Sequence, residues 1–139
     1  MPFHHVLIGY LTFCLIKFVG YALAGGYLSS AYARTDLSGW KVGAVRTLIG
    51  MATGAVYVWV LFQPLSEVRA PTPMDDFYYL WLAPIRIAEW WLILWFFYDR
   101  RLEYKKRGWW YVIVGTLWSY LLDVPAVVGL IKTGDFPIC

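Results

Sequence analysis

Lys17, Arg86, Glu89 and Asp123 are ionisable residues set inside long apolar runs, and that placement holds the chemical content of the sequence. An ionised side chain facing lipid at the middle of a bilayer costs about 2.5–3.5 kcal/mol on insertion scales. Two cations and two anions at one depth can instead neutralise each other, hold a charged ligand or relay protons. Arg86 and Glu89 stand three residues apart and form one pair within a helix; Lys17 and Asp123 form the other, between helices. The opposing reading gives both pairs a purely structural task, that of fixing how the helices assemble.

Residues three, four and seven apart share a helix face, so each charge brings neighbours with it. Tyr10, Cys14, Lys17, Tyr21 and Gly25 make one stripe, and Arg46, Gly50, Thr53 and Tyr57 another. Tyr79, Arg86 and Glu89 make a third, and Thr116, Ser119 and Asp123 a fourth. Tyr21, Tyr57, Trp90 and Ser119 are the expected pocket lining around the four charges. Trp90 and Trp91, deep in a run rather than at its ends, suit a wall around the apolar body of a ligand, or ordinary packing between helices.

The elements that must position these residues are four apolar stretches, approximately 6–28, 42–62, 77–98 and 109–131. Each matches the roughly 20 helical residues that cross a hydrocarbon layer about 30 Å thick. Backbone polar groups inside a bilayer must be satisfied internally, so the expected fold is all-α: a transmembrane four-helix up-down bundle, residues 1–139 forming a single membrane domain. Pro84 and Pro125 lie two residues from Arg86 and Asp123, which predicts kinks beside the charges and a polar cavity there. Gly50-Met-Ala-Thr-Gly54 and Ala22-Leu-Ala-Gly-Gly26 supply small faces for close helix contact.

Composition agrees with the bilayer. Of 139 residues, 60% are hydrophobic and only 15% charged, too little polar surface for a water-soluble domain and no footprint for nucleic acid. The first and third connectors carry Arg34, Lys41, Arg100, Arg101, Lys105, Lys106 and Arg107, while the second offers Arg69 against three acidic residues. The positive-inside rule then places both termini on the non-cytoplasmic side, with a retained first span and no signal peptide. Trp40, Trp95, Tyr98, Trp109 and Trp110 should form the inner aromatic belt, and Trp59, Tyr78, Tyr79 and Trp81 the outer one. A bacterial inner membrane is the expected location.

No serine-hydrolase, zincin or P-loop motif occurs, and we expect neither a catalytic residue, a metal nor a cofactor. His4 and His5 with Asp75 or Asp76 are the nearest approach to a metal set, and they lack ligand spacing. The leading expectation is a small membrane protein that binds or translocates a small polar or amphiphilic solute. Its expected partners are membrane lipids and either further copies of itself or a partner membrane subunit. The alternatives are an accessory or assembly subunit of a larger membrane complex, and a lipid-modifying enzyme working through Asp123 and Glu89.

Overall fold

The computed structural model describes residues 3–62, 76–101, 103 and 105–133. Among them are four α-helices and no strand: α1 Phe3–Ala31, α2 Gly39–Phe62, α3 Asp76–Ile93 and α4 Lys105–Thr133. The last turn of α3 widens into a π-turn, Leu94–Tyr98, closed by the Asp99 amide donating to Leu94 O at 2.8 Å. All four helices begin earlier than the apolar runs do. Gly39, Trp40 and Lys41 join α2, and Lys105–Gly108 join α4, because the backbone ladder continues past the apolar stretch with its side chains turned outward.

Side-chain contacts set the direction of each helix. Along α1 and α2, Gly26 meets Gly39, Gly25 meets Val42 and Ala22 meets Gly43, so one chain descends as the other climbs. Tyr27 pairs with Tyr111, Gly20 with Leu122 and Lys17 with Asp123, which makes α1 and α4 antiparallel as well. The same inverse order joins α3 to α4, through Trp91 with Trp109 and Arg86 with Asp123. A π-turn residue locks the loop end of the bundle: the Tyr98 hydroxyl donates to Gly25 O at 2.8 Å and lies 3.1 Å from Ser29 Oγ. The belt expectation for Tyr98 is therefore corrected, because the extra residue of the π-turn delivers its side chain onto α1, where it is buried.

Charged and polar side chains lie among the buried residues of an otherwise hydrophobic core, and large apolar side chains stand on the outside. Lys17, Arg46, Arg86, Glu89, Ser119 and Asp123 are buried, while Leu11, Leu23, Leu48, Leu117, Trp40 and Trp110 stand exposed around the outside. Among the described residues one segment, Leu11–Ala31, is long and apolar enough to cross a membrane by length and composition.

Small residues decide how near α1 and α2 come. A Cβ on Gly39 would lie 2.5 Å from Ala22 O, and one on Gly43 would lie 2.7 Å from Ala22 N, so backbone touches backbone there. The partner of Ala22 and Gly26 is thus Gly39–Gly43. Gly50, expected to share in such a contact, meets only the end of Arg46, at 3.3 Å.

Candidate functional site

Lys17, Arg86, Glu89 and Asp123 converge in the bundle centre, on three helices. Lys17 Nζ lies 2.7 Å from Asp123 Oδ1, and Arg86 Nη2 lies 3.2 Å from Asp123 Oδ2. The expected Arg86–Glu89 pair is looser, at 3.7 Å. Glu89 is held instead by Arg46 of α2, whose Nη2 stands 2.6 Å from Oε2, and by a hydrogen bond from the Thr53 hydroxyl. Arg46 is entirely excluded from solvent, at 0% exposure. All four helices therefore contribute to one ion network.

Aromatic rings close this network on one side. The Arg46 guanidinium lies 4.7 Å from the Tyr21 ring centre and 5.4 Å from that of Trp90, within cation–π reach of both. Tyr21 and Trp90 meet edge to face at 6.0 Å. Ser119 sits between the three: its Oγ accepts from Trp90 Nε1 at 3.0 Å, and Tyr21 Oη and Arg46 Nη2 donate to it at 3.4 and 3.5 Å. Lys17 is covered by Phe13, 4.5 Å from the ring centre. Trp90 reaches this position because α4 carries Gly115 there; a Cβ would lie 2.5 Å from the indole.

Of the eight expected site residues, seven meet here: Lys17, Arg86, Glu89 and Asp123 with Tyr21, Trp90 and Ser119. Tyr57 is part of α2, and its side chain lies outside the described residues, as do Asp75 and the side chains of His4, His5 and Asp76. Comparison of the chain with protein-family models, curated proteins and solved structures finds no match. Function must be read from the geometry.

Arg46 is the residue that pairing by depth left out. The signal was present in its stripe with Gly50 and Thr53, but its Cα lies near the start of the second apolar run. Its long side chain, rather than its position, carries the charge to the centre.

The network is not balanced. Among the described residues, Lys17, Arg46 and Arg86 meet two carboxylates, Glu89 and Asp123, so the formal charge of these five groups is positive by one. Arg46 Nε and Nη1 and Arg86 Nε make no hydrogen bond within the described residues. Unsatisfied buried donors cost about 1–3 kcal/mol each, so they mark where an acceptor is wanted. Two small crevices lie beside Arg86. One, of about 10 Å³, is bounded by Cys14, Lys17, Gly50 and Arg86; the other, of about 20 Å³, by Gly50, Thr53, Arg86 and Glu89. Each is about the size that admits a single water molecule. The solute-sized polar cavity expected beside Pro84 and Pro125 is thus not found among the described residues, where side chains fill the space between the charges.

Outside the apolar segments, the α1–α2 connector holds a further ion pair. Arg34 Nε and Nη2 donate to both carboxylate oxygens of Asp36 at 2.9 Å, a fork that lowers the Asp36 pKa and raises that of Arg34. Both groups are exposed. Nearby, burial pushes the Tyr32 phenol up, opposed by the guanidinium of Arg107.

Proposed function

We propose that this chain is a small multi-pass membrane protein whose central ion network binds or moves a small polar solute, and that the bound group is anionic or a proton acceptor of water size. The carrying observation is the positive excess of the network together with its unsatisfied guanidinium donors, Arg46 Nε and Nη1 and Arg86 Nε. An anion at the crevices beside Gly50 would meet Arg86, which lines both, and offset the extra charge. Arg46 Nη1 is directed at that place, 3.3 Å from where a Gly50 side chain would begin.

The membrane part of this reading is supported by ionisable side chains buried inside an apolar exterior, and by the one segment among the described residues, Leu11–Ala31, that is long and apolar enough to cross. Rings on Arg46 and Lys17 limit water at the network, which strengthens its hold on any ion that enters. The narrow crevices favour a single small anion, water or proton over a larger metabolite.

Purified chain in detergent and in proteoliposomes tests the proposal, with chloride, fluoride and nitrate as the probes. We expect one of these anions to raise the Tm in a saturable way and to cross, or to drive proton flux, in the wild type. Arg46→Leu should abolish both effects while Leu48→Phe, on the outer face, keeps them. A wild type whose Tm and flux ignore all three anions overturns the solute reading. If native mass spectrometry of that protein also finds a different chain bound, the accessory-subunit reading replaces it.

A further inference from the structure

A larger space among the described residues lies away from the charges. A groove of about 560 Å³ runs along the outside of the bundle between α1 and α4, walled by Leu23, Ala24, Tyr27, Val114 and Leu121 and floored by Trp90. Its lining is almost wholly apolar, its volume is that of a ligand site of about 300–1,000 Å³, and it opens sideways rather than into the ion network. Along α4 it extends from Tyr111 to Leu121. At about 1.5 Å per residue that is roughly 15 Å, the depth of one leaflet in a hydrocarbon layer about 30 Å thick.

One end of the groove is basic. Tyr27 and Tyr111 meet there edge to face at 6.4 Å, and the Arg107 guanidinium lies over Tyr111 and Tyr32, at 5.6 and 5.0 Å from the ring centres. Arg107 also donates to Ala31 O, which holds it at the end of α1, and Lys105 and Lys106, the two residues before it, are exposed. We infer that this groove seats one acyl chain of an anionic phospholipid, with the lipid phosphate at Arg107. The inference rests on the membrane reading above, and not on the nature of the solute at the ion network.

Such a lipid would touch the same indole that meets Arg46 and donates to Ser119. Trp90 is thus the partition between lipid and network.

The test is native mass spectrometry of the full chain released from nanodiscs that contain equal phosphatidylglycerol and phosphatidylcholine with matched acyl chains. We expect one phosphatidylglycerol to be retained in clear preference. Arg107→Gln should lower the preference about fivefold, the equivalent of ~1 kcal/mol for one basic contact. Ala24→Phe, which fills the groove, should reduce retention of both lipids, and Leu48→Phe should change neither. Melting in lipid-free detergent confirms that each variant is folded. Retention indifferent to Arg107→Gln and Ala24→Phe overturns the inference, as does a dimer that Ala24→Phe separates, since the occupant would then be a second copy. A chain that purifies without detergent overturns the membrane reading itself, whereas indifferent lipid retention in a chain that requires detergent overturns the groove alone.

Discussion

Glu89 is where the energetics of single residues are most exposed. Among the described residues it alone joins Arg46 and Thr53 to Arg86, so its removal leaves two guanidinium groups there with Asp123 as the remaining carboxylate. Removing one member of a buried ion pair typically costs about 3–5 kcal/mol, because the surviving charge keeps its desolvation penalty. Glu89→Ala should lower the Tm in detergent by that equivalent, whereas Arg46→Leu with Glu89→Leu, which removes both charges, should recover most of it. A double variant as unstable as the single would show that Arg46 and Glu89 do not act as a pair. Four of the network residues were legible in the sequence, since a charge inside an apolar run is conspicuous. Arg46 was not, because depth was judged from the Cα, and a long side chain carries its charge well away from it.

Between helices, the closest approach is set by atoms that are absent. Gly39 and Gly43 of α2 let backbone meet Ala22 and Gly26 of α1, and this fixes both the spacing and the axial offset that bring Arg46 to the level of Tyr21. Gly43→Ala should therefore force the pair apart at a cost of about 1–3 kcal/mol. Gly26→Ala offers the contrast: a methyl there meets nothing within 4 Å, and Ala is favoured over Gly in a helix by up to about 1 kcal/mol. Thermal melting of the two variants should move in opposite directions; a loss in both would place the close contact elsewhere. The G-x-x-x-G spacing exists at both Gly39–Gly43 and Gly50–Gly54, and spacing alone does not distinguish them. Only the meeting with α1 selects the first.

At the scale of the whole molecule, the antiparallel order places the α1–α2 and α3–α4 connectors at one end, where Arg107 donates to Ala31 O. Arg34, Lys41, Arg100, Arg101, Lys105 and Lys106 collect at that same end. With Cys14 and Cys139 replaced by Ala, Ser38→Cys and Glu103→Cys should both resist a membrane-impermeant maleimide in right-side-out vesicles and react in inverted ones. Opposite accessibility of the two positions would break the up-down order, and reaction of both from outside would invert the orientation. This prediction separates the arrangement of helices, which the contacts establish, from their embedding in a bilayer, which is proposed.

The sequence by itself determined the helical class, the four segments, the bias of basic residues toward two connectors and the ionisable residues set within the apolar runs. Those properties follow from chain-local physics: the length of an apolar run, the 3.6-residue period and the cost of charge away from water. The tertiary structure alone decided that Arg46 completes the network, that Tyr98 turns inward from the π-turn, and that Trp90 divides the ion centre from an apolar groove. Each depends on the rotation and offset of one helix against another. Periodicity names the face a residue occupies, but small residues far apart in the chain set which faces meet and at what height.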